Sequence, residues 1–206
     1  MIKYVIFDFD GTLADSKQAM LTSWNAIARK YKYKELTFSD IEAMGRMSMR
    51  ERSAMVNFPM YKIPIVIPQF YRLYKAALNK VEFFDGIKEM LQKIEEKGYK
   101  TVILSSNSKD NILTFLERNH VSGISEVICS SSIFGKDKLL NRFLMDHKLT
   151  PSEIIYAGDE QRDIIACKKA GVPVIWVSWG YDSIEVIEKL QPEFQAHSPE
   201  EILTII

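Results

Sequence analysis

Tyr4-Val5-Ile6-Phe7-Asp8-Phe9-Asp10-Gly11-Thr12-Leu13 begins as an unbroken apolar run and turns acidic within one residue. Four apolar residues ending at a polar break have the length of a buried strand. Asp8 and Asp10 are two residues apart, so an extended backbone sends both carboxylates to the same side. Gly11 then permits a sharp turn that frees main-chain N–H groups to meet phosphate oxygens.

The same pattern recurs along the chain. Thr101-Val102-Ile103-Leu104 ends in Ser105-Ser106-Asn107, and Glu126-Val127-Ile128-Cys129 ends in three serines. Ile154-Ile155-Tyr156-Ala157 ends in Gly158-Asp159, and Val174-Ile175-Trp176-Val177 ends in Ser178. Helical periodicity fills the gaps: Ile87, Met90, Leu91 and Ile94 recur at i, i+3, i+4, i+7, and Gly98 closes that helix. Ser108 is placed to cap the next, which carries Ile112, Phe115 and Leu116. Leu139, Leu140, Phe143 and Leu144 mark a further helix, and Ile164 and Ile165 open one that Gly171 ends. Continuous apolar strands alternating with amphipathic helices predict an α/β fold, a Rossmann-like parallel sheet with helices on both faces.

Residues 15–84 break this rhythm, with helical periodicity and no convincing strand. Ala19, Trp24, Ile27, Ala28 and Tyr31 suit one helix; Phe70, Leu73, Tyr74, Ala77 and Leu78 suit another. Ser39-Asp40-Ile41-Glu42 reads as a capping box, Asp15 and Ser16 as caps of the first helix, and Pro59, Pro64 and Pro68 as interruptions. The expected organisation is a core of residues 1–14 and 85–206 carrying an all-helical cap domain over 15–84.

In open α/β sheets ligands bind beyond the carboxyl ends of the strands. Three of those ends are polar here, at Asp8 to Thr12, at Ser105 to Asn107 and at Asp159 to Asp163. Holding Asp8 and Asp10 near Asp159 is costly without a cation, and hard oxygen ligands with no His or Cys beside them favour Mg2+.

These residues match a family. Asp8-Phe9-Asp10-Gly11-Thr12-Leu13 resembles the first motif of the haloacid dehalogenase superfamily, particularly its phosphoglycolate-phosphatase-like branch. Ser105 stands where that family has its second motif, and Lys136 where it has the third. Gly158-Asp159-Glu160-Gln161-Arg162-Asp163 fits the acidic fourth motif without a gap. Ser106 and Lys138 are the neighbouring alternatives, and the Lys-Pro-x-Pro wording common in the branch is missing around Gly135-Lys136-Asp137-Lys138.

The resemblance implies a phosphatase that passes the phosphoryl group through Asp8, with Asp10 as acid and then base. Mg2+ would be held by the Asp8 and Asp159 carboxylates and the Asp10 carbonyl, with Asp163 as ligand or support. Lys136, Ser105, Ser106 and the amides near Phe9 and Asp10 would hold the transferring phosphate. Dehalogenases of the superfamily lack the second acid of the first motif, so Asp10 argues for phosphoryl transfer. A phosphomutase, or a silent phosphate-binding regulatory module, is the alternative on the same scaffold. Arg46 and Arg50, around Gly45 in the insert, are candidates to meet a second anionic group on the substrate.

The totals agree with a small-molecule phosphate ester as partner. The 206 residues carry 27 basic and 27 acidic side chains, leaving no global positive field for nucleic acid. No apolar run approaches the ~20 residues of a membrane helix, and the start of the chain lacks a signal-peptide pattern, so the expected location is cytoplasmic. Cys129 and Cys167 read as reduced structural thiols. His120, His147 and His197 read as structural or surface groups, and Trp176, Trp179 and Tyr181 as packing.

Overall fold

The computed structural model describes residues 1–130 and 135–206. Ser131 and Ser132, two of the three serines after the third apolar run, lie outside the described residues. The chain opens with β1 (Tyr4–Phe7) and β2 (Ala14–Asp15), followed by α1 (Lys17–Tyr31), α2 (Phe38–Met44), α3 (Met49–Met55) and α4 (Ile63–Ala76). It continues through β3 (Glu82–Phe83), α5 (Ile87–Glu96), β4 (Lys100–Ser105), α6 (Lys109–Arg118), β5 (Ile124–Cys129) and α7 (Lys136–Asp146). The last part holds β6 (Ile154–Gly158), α8 (Gln161–Ala170), β7 (Val174–Val177), α9 (Ile184–Ile187), β8 (Phe194–Ala196) and α10 (Pro199–Ile205).

Six strands pair in the order β5-β4-β1-β6-β7-β8, and every pairing is parallel. Although β1 and β6 are apolar throughout, their side chains still alternate between two cores. Val5, Phe7, Ile103, Ile155 and Ala157 face one side, packed by Ile94, Phe115 and Ile202 of α5, α6 and α10. Tyr4, Ile6, Val102, Leu104, Ile154 and Tyr156 face the other, packed by Phe143, Leu144 and Ile164 of α7 and α8. Phe115 joins that core to the turn after β1 and to β3, meeting Phe9 at 5.1 Å and Phe83 at 4.7 Å edge-on. Truncating so buried a ring typically costs ~3–5 kcal/mol.

The sheet has one strand more than the periodicity predicts. Strand β8 is three residues long, sits at an edge and leaves Phe194 41% exposed, so it lacks the apolar run that marks the others. Likewise, Ala14–Asp15 and Glu82–Phe83 form a two-residue antiparallel ribbon where the stretch over 15–84 predicts no strand. This ribbon is where α1 to α4 leave the sheet and return to it.

Within that stretch some local expectations are corrected. The capping box before α2 is Thr37 with Asp40, not Ser39, because the Thr37 hydroxyl accepts the Asp40 N–H and Asp40 reaches back to the Thr37 N–H. A second box, Ser48 with Glu51, opens α3. Pro64 and Pro68 do not interrupt: Pro64 sits in the first turn of α4, where no N–H is needed, and the helix runs on through Pro68. Ser16 occupies the N-cap of α1 but its hydroxyl makes no capping bond; it contacts the Tyr181 hydroxyl at 2.8 Å instead. Leu21, Leu36 and Val56 form a small core of their own among these helices, with Trp24 and Phe58 packed against it.

Both cysteines are free; Cys167 is buried and Cys129 half-buried. Among the described residues no helix is long and apolar enough to cross a membrane.

Candidate active site

Strand order reverses around β1, whose neighbours β4 and β6 run on to opposite halves of the sheet. Register places Phe7 beside Ile103 and Ala157, so the segments after β1, β4 and β6 emerge side by side. Beyond Asp8 the chain reverses at once: the Phe9 carbonyl accepts from Leu13 N at 3.0 Å and Ala14 N at 2.9 Å. Gly11, at φ +83°, sits at the tip of that turn.

Asp8 is 1% exposed. Its Oδ1 accepts from the Phe9 N–H at 2.7 Å. Its Oδ2 lies 2.7 Å from Lys136 Nζ as an ion pair, yet accepts no aligned hydrogen bond from any described group. Lys136 starts α7 and is itself buried, with its ammonium also 2.5 Å from Asp163 Oδ1 and 2.9 Å from the Tyr156 hydroxyl. Burial opposes that charge, but Asp163 and Asp8 outweigh it and hold the ammonium above the usual lysine value. Lys138 is exposed and faces none of this.

Asp10 takes a different environment from Asp8. Its Oδ1 accepts from the Tyr74 hydroxyl at 2.8 Å and its Oδ2 from Asn107 Nδ2 at 2.8 Å. Burial pushes its carboxyl up to about 6 against the lowering effect of its hydrogen bonds. Two carboxyls two residues apart, one ion-paired and one buried toward neutrality, are suited to different tasks.

Asp159 follows β6 and is wholly buried; Thr12 Oγ1 and Tyr181 N each donate to it at 2.8 Å. Two glycines make room for it: a Cβ at Gly11 would stand 2.4 Å from its Oδ2, and one at Gly180 2.2 Å from its Cβ. Burial, then Glu160, Asp163 and Asp8, push its carboxyl well above the ordinary range. Asp163, raised to about 6 chiefly by burial, accepts the Glu160 N–H at 3.2 Å.

Ser105 and Ser106 both reach the site. Ser105 Oγ accepts from Asn107 N at 3.2 Å, and Ser106 Oγ accepts from Arg162 Nη1 at 3.0 Å. Arg46 and Arg50 are exposed, and Arg46 pairs with Glu185 at 3.3 Å. Arg52, half a turn further along α3 from Arg50, takes the inward place instead. It pairs with Asp182 and with Glu160, the latter at 3.4 Å. Arg162 pairs with Glu160 in turn.

Six buried carboxylates, Asp8, Asp10, Asp159, Glu160, Asp163 and Asp182, thus face three cations, Arg52, Lys136 and Arg162. Oxygens of Asp8, Glu160 and Asp163 lie within 4.8 Å of one another. An excess of buried anionic oxygen, with Asp8 Oδ2 lacking an aligned donor, fits a hard divalent cation. Glu160 joins this group without having been expected there. It occupies a position that the acidic pattern leaves open, and as the N-cap residue of α8 it is brought beside Asp8 and Asp163. Thr12 and Asn107 belong to the polar strand ends read from the sequence, whereas Tyr74, Tyr156 and Arg52 are further members that no sequence pattern marks.

A family model described as haloacid dehalogenase-like hydrolase matches residues 5–177. A phosphoglycolate phosphatase of Synechococcus elongatus is 26% identical over 203 residues, covering 98% of this chain and 96% of that protein. One from Xylella fastidiosa is 29% identical over 197 residues, covering 88% and 82% respectively. Among solved structures, a haloacid dehalogenase-like hydrolase from Streptococcus pneumoniae superposes with a TM-score of 0.83 at 20% identity, covering 99% and 98% of the two chains. At that identity the likeness speaks for the fold.

Proposed function

The chain belongs to the haloacid dehalogenase-like hydrolase family and is an enzyme of the phosphatase type; on that premise we propose that it hydrolyses a small phosphate monoester through an aspartyl-phosphate on Asp8, with Mg2+ as its metal. One observation carries the reading. A buried Asp8 faces the Lys136 ammonium at 2.7 Å, while Asp10, two residues on, is pushed up to about 6.

An Asp8 carboxylate oxygen attacks phosphorus, and the bond from phosphorus to the ester oxygen breaks with its electron pair on that oxygen. Asp10, protonated, gives its proton to the departing alcohol. Water then attacks the aspartyl-phosphate and passes a proton to the Asp10 carboxylate, and the phosphorus–Asp8 bond breaks to release inorganic phosphate. Tyr74 and Asn107 hold Asp10 in place for both transfers. Lys136 and the Ser105 and Ser106 hydroxyls balance and orient the phosphoryl oxygens. Asp8, Asp159, Asp163 and Glu160 are the residues to hold Mg2+, which when bound supplies positive charge to the phosphoryl oxygens. The helices over 15–84 serve as the cap, with Tyr74 and Arg52 as the groups by which they reach the site. Phosphoglycolate, on which the named relatives act, is the reference substrate.

Release of phosphate from p-nitrophenyl phosphate, with Mg2+ or with EDTA, tests the reading in wild type and Asp8→Asn. Turnover should require Mg2+ and fall at least ~1,000-fold in the variant. Activity that survives in Asp8→Asn would remove the aspartyl-phosphate route.

A further inference from the structure

A second feature opens from the same residues. A cavity of about 300 Å³ lies among α1 to α4, and where it meets the site its lining includes Asp10, Arg52, Glu160, Arg162 and Tyr181. In the mechanism proposed above, the alcohol that Asp10 protonates leaves away from Asp8, so the cavity that Asp10 borders receives the leaving group. Its walls are apolar: Met20, Trp24, Ile41, Met44, Ile67 and Phe70 are among them. Two polar side-chain groups on those walls are engaged, Trp24 Nε1 with the Lys34 carbonyl at 3.0 Å and the Ser53 hydroxyl with the Phe58 carbonyl, which leaves the neutral Tyr71 hydroxyl as a single polar point among them.

Charge at the end that meets the site points the same way. Arg52 and Arg162 are the cations there, and both are paired, Arg52 with Asp182 and Glu160, Arg162 with Glu160. A carboxylate on the substrate would have to compete with buried acids for them, and Arg46 and Arg50 stand outside, exposed. A charged group driven into such walls would lose its water with no opposite charge to meet it.

Resting on the phosphatase reading, we infer that the substrate is a monoester whose alcohol carries a bulky apolar group, aromatic or branched, and no second anion. Methionines suit this role, because flexible thioethers mould to irregular apolar ligands. At ~30 Å³ per water, the cavity has room for roughly ten water-sized groups, far more than the two carbons of a short hydroxy acid fill.

The test compares kcat/KM, with Mg2+, for 2-(1-naphthyl)ethyl phosphate, ethyl phosphate and phosphoglycolate, esters that all leave through a CH2–O oxygen. The naphthyl ester is expected to lead both others by tenfold or more, since a single methylene in an apolar pocket is worth ~10-fold or more. In Ile67→Gln, the ratio between the naphthyl and ethyl esters is expected to fall about tenfold. Equal values, or a lead for phosphoglycolate, overturn the inference while leaving the phosphatase reading intact. Absence of turnover on every ester defeats that reading instead. Calorimetric titration of Asp8→Asn with the naphthyl ester and phosphoglycolate then decides the inference by itself, tighter binding of phosphoglycolate overturning it.

Discussion

The Tyr74 hydroxyl donates to Asp10 Oδ1 at 2.8 Å, a bond from the last turn of α4 to the acid that follows β1. It favours the charged carboxylate and so holds Asp10 below the value that burial alone would set. Removing it in Tyr74→Phe raises Asp10, which then keeps its proton to higher pH. One hydrogen bond is worth ~0.5–1.5 kcal/mol, or roughly half to one pH unit at 1.36 kcal/mol per unit. The alkaline limb of kcat/KM should move upward by about that much in the variant. A limb that stays in place, or moves down, would remove Asp10 as the proton donor.

The acidic cluster also sets how metal and pH act on stability. Asp10 and Asp163 are raised to about 6 and Asp159 well above its ordinary value, burial being the largest cause in each. Folding without metal therefore binds protons, and these groups stabilise the fold fully below the unfolded value of ~4. That contribution is lost as pH rises from ~4 through about 6. Asp40 and Glu153, lowered to about 2 by hydrogen bonds from Lys34 and Lys3, act at lower pH, losing their contribution only as pH falls below ~4. Mg2+ bound as proposed would compete with the protons at the cluster. Saturating Mg2+ should thus raise Tm by more at pH 7 than at pH 5, as scanning calorimetry would show. A gain independent of pH would argue that no raised carboxyl binds the ion.

The parts of the site that were legible in the sequence are those carried by strand ends. An apolar run must stop where the strand leaves the sheet, so Asp8, Ser105 and Asp159 announce themselves by following one. Lys136 is legible only through the resemblance, since a lysine at a helix start is ordinary; what distinguishes it from Lys138 is burial against Tyr156, a long-range contact. Tyr74 and Arg52 lie in helices whose orientation over the sheet no periodicity encodes. Arg50 and Arg52 look alike as residues on one helix, and helix phase alone turns the second inward, while Arg46 lies in the turn before that helix. Strand β8 is hidden because an edge strand three residues long needs no apolar run.

Arg52 makes that phase testable. Its guanidinium is 13% exposed, pairs with the buried Asp182 and with Glu160, and donates from Nε to the Met44 and Met47 carbonyls. Arg52→Gln leaves two buried carboxylates short of a cation, a loss of ~3–5 kcal/mol. At ~2–4 °C per kcal/mol for a chain of this size, Tm should drop by roughly 10 °C. Arg46→Gln, at an exposed pair with Glu185, should leave the melt unchanged. Equal melting of the two variants would mean that the Arg52 pairs contribute nothing to holding α3 on the core.

Substitution at Gly180 tests which acids hold the proposed metal. Its Cβ, if present, would stand 2.2–2.4 Å from the Asp159 side chain, too close for any real contact. Gly180→Ala must therefore displace the Asp159 carboxylate and strain the bond it accepts from Tyr181 N at 2.8 Å. Gly98→Ala is the control, since Gly98 has positive φ but nothing within 4 Å of the added carbon. It costs backbone strain of ~1–2 kcal/mol and touches no acid. If Asp159 is a ligand, the Mg2+ concentration for half-maximal activity should rise ~10–100-fold in Gly180→Ala and stay put in Gly98→Ala. An unchanged Mg2+ requirement in Gly180→Ala would pass the role to Glu160, which already lies with Asp8 and Asp163. Glu160→Gln would then show the shift that Gly180→Ala did not.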